Sequence, residues 1–129
     1  MARTFILIAA VLGFTGVALG AFGAHALQAR LEANDRVDTF QTANRYHLIH
    51  TLAILGIGIL LSLSSGMLDS SLLQWAGYSF TIGTLVFSGS LYILAIFNIR
   101  IMGAVAPLGG LALLGGWLLL GLASWRASP

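Results

Sequence analysis

The chain has 129 residues, 58% of them hydrophobic and only 8% charged, with a mean hydropathy of +0.95. A soluble domain carries about 25% charged residues, and one of this size leaves roughly a third of its surface in water; these values exclude a soluble fold and require lipid over the apolar surface. The net charge of +2 is a small excess of arginine, without the basic patch that nucleic-acid binding needs, and the absence of cysteine excludes disulfides, thiolate chemistry and cysteine-ligated zinc or iron–sulfur centres.

Four apolar runs, at about 5–26, 46–63, 72–97 and 102–125, approach or exceed the ~20 residues that cross a hydrocarbon core. None carries a charge in its apolar centre, and none alternates as a barrel strand would. The expected fold is all-α, a four-helix transmembrane bundle in one unit spanning 1–129.

The first run follows Arg3 and ends on Ala24-His25-Ala26, a pattern shared with cleaved secretory signals. Its apolar stretch exceeds the ~7–15 residues of a signal core, so it is expected to remain as a span. Gly16, Gly20 and Gly23, with Ala24, form a small-residue face that lets another helix approach closely. The long connection at 27–45 follows. Asp35 and Asp38 read as a helix start, with acids near the positive end of the dipole. A helix is expected from about Arg36, running straight into the second span. Residues 27–32 fit either a short amphipathic turn in the interface or a solvated loop.

The second span opens with Arg45, Tyr46, His47 and His50. The two histidines are three apart, and with His25 they are weak candidates for a metal site or, in pairs, for haem ligation. The simpler reading is hydrogen bonding to backbone or headgroups, and no metal or cofactor is expected. Arg45 can meet an anionic headgroup or an acid, or serve as a positive-inside anchor. The segment 64–71 reads as a turn around Gly66 with helix-capping serines. In the third span FSGSLY places Ser88, Gly89, Ser90 and Tyr92 ahead of Asn98; the serines are expected to bond across helices for ~1 kcal/mol or less. The fourth begins near Pro107, Gly109 and Gly110, where early helical amides are unpaired anyway. Further along, Ala112 and Gly116 form another close-packing pair. Tyr46, Trp75, Trp117 and Trp125 suit interfacial aromatics, with Trp117 the deeper.

Four spans put both termini on one side with Arg3 and Arg126, and put Arg30, Arg36, Arg45 and Arg100 on the other. The positive-inside rule then sets the 27–45 loop in the cytoplasm and both termini outside. His25, Arg45, Tyr46, His50, Ser88, Ser90, Tyr92 and Asn98 all fall toward the long-loop face, in one leaflet. A ligand or partner site is expected there. Gly89, Pro107, Gly109, Gly110 and Gly116 are expected to serve helix packing.

Several motifs recur together: GAFGAH at 20–25, RY with a histidine four residues later (Arg45, Tyr46, His50), FSGSLY at 87–92, PLGG at 107–110 and GW at Gly116-Trp117. Their order and spacing resemble the YgdD-like family of small inner-membrane proteins over nearly the whole chain. The resemblance implies a four-helix, multi-pass inner-membrane protein and brings no activity, substrate or cofactor. His47 stands where relatives are expected to carry another residue type.

Three functional readings follow. The first is a non-enzymatic accessory, assembly or scaffold component, with lipid and other membrane proteins or further copies of itself as partners. The second is a lipid- or small-molecule-binding module, or an oligomeric transporter, using the polar cluster. The third is a haem, quinone or metal redox protein. No carboxylate lies in a span, which argues against paired-carboxylate and di-iron chemistry.

The orientation is testable because the chain has no cysteine of its own. A single cysteine at Asp38 should resist a membrane-impermeant maleimide in intact cells, and one at Ala127 should react; the opposite pattern inverts the topology.

Overall fold

Inside lipid no water is available to backbone amides, so each apolar run must close its own hydrogen bonds. In the computed structural model, which describes residues 1–64 and 67–127, the runs do so as helices: α1 (Ala2–Ala24), α3 (Val37–Leu63), α4 (Ser70–Phe97) and α5 (Met102–Trp125), with a short α2 (Gln28–Ala33) between the first two. The four long helices have the length and composition to cross a membrane, and no strand occurs among the described residues. α1 packs on α3, α3 on α4 and α4 on α5. The main core joins Phe5, Ile54, Ile57, Leu73, Phe80 and Leu113; a second cluster of Leu31, Phe40, Ala43, Tyr92 and Ala95 lies under α2.

α3 has 27 residues, about 40 Å at ~1.5 Å per residue. That exceeds a hydrocarbon core of ~30 Å. Its polar first turns, from Val37 to Arg45, therefore stand at headgroup level beside α2. The continuous helix expected from about Arg36 is present, but Asp35 does not start it. Asp35 takes a left-handed conformation (φ 55°) that ends α2. Arg36 N–H bonds to Leu31 O at 2.9 Å and Asp35 N–H to Glu32 O at 3.0 Å, a Schellman closure. Residues 28–33 thus form a helix that buries Leu31 rather than a solvated loop. Asn34, at the elbow, donates from Nδ2 to Ala95 O (3.1 Å) and Ile96 O (3.2 Å), supplying partners to the last carbonyls of α4.

Two further expectations change. The serines near 64–71 do not cap α4: Asp69 does, accepting from Ser71 N–H at 3.0 Å and Leu72 N–H at 3.1 Å. Gly66 lies outside the described residues. Pro107 is not in the first turn of α5, which begins at Met102. It sits in the second turn, where its missing N–H deprives Gly103 O of the usual donor.

Without a hydrophobic drive between helices in lipid, dispersion at close approach does most of the packing. α1 presents Gly13, Gly16, Gly20 and Gly23 to Thr51, Leu48, Asn44 and Phe40 of α3, in antiparallel register. The α4/α5 seam is tighter. A Cβ on Gly109 would collide with the Phe87 backbone, one on Gly83 would lie 2.9 Å from Leu113 N, and one on Gly116 2.6 Å from the Phe80 ring. A Cβ on Gly110 would make only ordinary contact with Phe87, at 3.7 Å. Gly89 does not pack: a Cβ there meets nothing within 4 Å.

Gly109→Ala should therefore cost about 1–3 kcal/mol, because backbone cannot yield as a side-chain tip can. Gly89→Ala should leave stability unchanged or slightly raised. Unfolding in mild detergent compares the two; equal effects would contradict the seam.

Candidate functional site

Asn44 sits on the α3 face that meets the α1 glycines. Its amide nitrogen carries two protons and both are used: one goes to Gly16 O of α1 at 2.7 Å, the other to Tyr92 Oη of α4 at 3.0 Å. Tyr92 Oη lies 3.0 Å from His47 Nδ1. Having accepted from Asn44, the hydroxyl is free to donate its own proton to His47 Nδ1, which places the imidazole proton on Nε2. That Nε2 is buried with no hydrogen-bond partner among the described residues, beside Gly16. Tyr92 is fixed from the other side by an edge contact with Phe40 at 5.2 Å between centroids. The result is a polar chain across three helices.

His50 belongs to a separate arrangement. Its Nδ1 lies 2.8 Å from Tyr46 O, and its Nε2 lies 3.2 Å from Trp117 Nε1 of α5. A carbonyl oxygen only accepts and an indole N–H only donates. The tautomer follows: His50 is neutral, protonated on Nδ1, with Nε2 accepting from Trp117. Tyr46 stacks on His50 (5.8 Å, 19°) and leans on Phe87 (4.6 Å). A groove of about 400 Å³ opens beside this group, lined by Tyr46, His50, Phe87, Pro107, Leu114 and Trp117 among others.

The histidines therefore do not form one site. His47 turns toward α1 and Tyr92, and His50 toward Phe80 and Trp117. His25 is exposed at the end of α1. Among the described residues no three histidines or acids are placed to hold a metal ion, and both ring nitrogens of His50 are engaged. Ser90 does not bond across helices: its hydroxyl donates to Phe87 O of its own helix at 2.9 Å. Ser88 Oγ is buried without a partner among the described residues. Asn98 is exposed and left-handed (φ 52°) at the end of α4, where it closes the helix rather than joining the cluster.

A second cavity, about 430 Å³, lies between the end of α1, α2 and the first turns of α3. Gln28, Gln41, Asn44 and the exposed Arg45 give it polar walls, and Gly20 and Phe40 are among the residues that give it an apolar side. Of these polar residues only Arg45 is prominent in the sequence. Asn44 holds two helices, yet its one outward signal is a position three residues before His47 on the same helix.

Comparison with known proteins gives a consistent picture. Residues 19–110 match the family model described as "Protein of unknown function (DUF423)". The chain is 40% identical to the UPF0382 inner membrane protein YgdD of Escherichia coli (strain K12), over 92% of this chain and 86% of that one. It is 34% identical to the UPF0382 membrane protein YwdK of Bacillus subtilis (strain 168), over 95% and 96%. It is 37% identical to a UPF0382 membrane protein of Staphylococcus saprophyticus, over 96% and 98%. No solved structure matches.

Asn44→Leu should destabilise the bundle by about 1–3 kcal/mol, because Tyr92 Oη and Gly16 O each lose a donor. Ser88→Ala, which removes a hydroxyl bonded to nothing described, should be neutral or stabilising. In ¹⁵N-resolved spectra His50 should appear as the Nδ1–H tautomer, and Trp117→Phe should shift its Nε2 resonance. An Nε2–H tautomer in the unsubstituted protein would overturn the assignment.

Proposed function

Because the chain belongs to the DUF423 family, whose relatives are membrane proteins, we propose that it is a non-catalytic multi-pass component of the inner (plasma) membrane, acting as an accessory, assembly or scaffold part of a larger membrane complex. The observation that supports this most is the inward satisfaction of the polar residues. Asn44, Tyr92 and His47 bond to one another and to the α1 backbone, and His50 bonds to Trp117 and Tyr46 O. Apart from His47 Nε2 and Ser88 Oγ, which have no partner among the described residues, the buried polar groups of this cluster are engaged with other helices or with backbone. The proposed orientation has the 27–45 connection in the cytoplasm, as the arginine distribution favours, and the partners are lipid and other membrane proteins or further copies of the chain.

The lipid- and small-molecule-binding reading is favoured by one feature, the 430 Å³ cleft at the headgroup end of α3, with Arg45 on its wall. The redox reading gains nothing comparable, since the two buried histidines face different helices and no group of three possible ligands gathers around either among the described residues.

The test of the scaffold reading is native mass spectrometry of protein expressed from its own promoter and released from mild detergent. A second polypeptide at fixed stoichiometry is expected. Consistent recovery as a lone protomer or a closed homo-oligomer would overturn it.

A further inference from the structure

We propose that the cleft between the end of α1, α2 and the first turns of α3 binds the phosphodiester headgroup of an anionic phospholipid, with Arg45 on the phosphate. The proposal rests on the binding reading above and names its ligand class. Three observations converge on it.

The first is depth. α3 runs 27 residues, and its apolar part begins after Arg45, so the guanidinium stands where lipid phosphates stand. Basic pockets between transmembrane helices at this level are suited to headgroups. The second is charge. Arg45 is the one charged residue among those lining the cleft, and no acid lines it. The acid one helical turn from Gln28, Glu32, accepts from Gln28 Nε2 at 2.9 Å, which directs it along α2. One fixed positive charge, with a planar fork of donors, matches the single negative charge of a phosphodiester.

The third is the distribution of polar atoms. Asn44 spends both amide protons inward, on Gly16 O and Tyr92 Oη. Its Oδ1, beside Gly20, is left as a fixed acceptor in a residue that lines the cleft. Gln41, exposed one turn from Arg45 on the same helix, adds an amide with both donor and acceptor character. Acceptors beside a phosphate site suit a headgroup that carries hydroxyls, as phosphatidylglycerol does. Leu31, Val37 and Phe40 complete the lining with apolar surface, suited to the glycerol backbone and the start of the acyl chains. A small hydrophilic anion would leave that surface uncovered.

The experiment is native mass spectrometry of the full chain in mild detergent, titrated with phosphatidylglycerol, with phosphatidylcholine of the same acyl chains, and with soluble glycerophosphoglycerol. The unsubstituted protein is expected to retain one phosphatidylglycerol in preference to phosphatidylcholine. Arg45→Gln should weaken that retention by about tenfold or more, as loss of a charge-assisted contact implies. Gln41→Glu, which keeps Arg45 but brings a carboxylate into the cleft, should weaken it as well. Arg126→Gln, outside the cleft, should not. Equal retention of both lipids, unchanged by Arg45→Gln, would overturn the proposal and leave a binding cleft of another specificity. Competition by glycerophosphoglycerol at the same concentration as the lipid would overturn the lipid source. If no added molecule is retained by any variant, the binding reading falls together with the proposal.

Discussion

A half-buried carboxamide wedged between helices settles their register when both of its protons are placed on neighbouring helices. Asn44 places one on the α1 backbone and one on the Tyr92 hydroxyl of α4, and much of the loop-side half of the bundle is arranged around that choice. Tyr92 must lie where α3 can reach it, which sets the register of α4 against α3. Gly16 O must be reachable from α3, which requires α1 to come close, and the glycines flanking that point allow it. His47 then takes the proton that Tyr92 has free. In double-mutant cycles on a membrane protein a single interhelical bond of this kind contributes roughly 0.6 kcal/mol on average. Its larger effect is on specificity: a slip of α1 or α4 by one residue would leave buried donors unpaired.

The apolar and polar layers divide the work. Toward the α3–α4 connection the helices meet through aromatic and aliphatic side chains around Phe5, Ile54, Ile57, Leu73 and Phe80. Toward the long connection they meet through hydrogen bonds and the smaller cluster under α2. The His50–Trp117 bond lies between these regions and ties α3 to α5, with Phe80 edge-on to Trp117 at 5.0 Å. Asn34 closes the end of α4 from the other side of the chain. α2 is thereby fixed at its C-terminal end, by its Schellman turn and by this staple, and it forms one wall of the cleft at Arg45.

What was legible in the sequence follows from what leaves a periodic or compositional trace. The four spans were legible because lipid demands long apolar runs. The start of α3 near Arg36 was legible because acids cluster at helix starts, although the residue that looked most like its cap, Asp35, serves the end of α2 instead. A polar residue with positive φ has no signature that separates it from an N-cap. The polar residues of one leaflet were legible as a group, but their partners were not. Helical spacing put His47 and His50 near one another, while the bundle sends one to α1 and the other to α5. Asn44 does not stand out because an asparagine in the polar first turns of a helix carries no sign of which helices it will join. Gly89 was overread because a glycine in a motif looks the same whether it faces a helix or open space.

The two glycine seams have a consequence for how the chain is made. One lies between α1 and α3, the other between α4 and α5, so each joins two consecutive membrane spans. Each pair can close as soon as its second helix has entered the bilayer, before the other pair exists. Insertion by hairpins is then open to the chain, and Asn34, Asn44 and His50 find some of their partners only when the second hairpin arrives. The finished bundle is a dimer of hairpins within one chain, with its covalent link between Leu63 and Ser70. The two halves meet chiefly along α3 and α4, and the bonds of Asn34, Asn44 and His47 to α4 and of His50 to α5 all cross that junction.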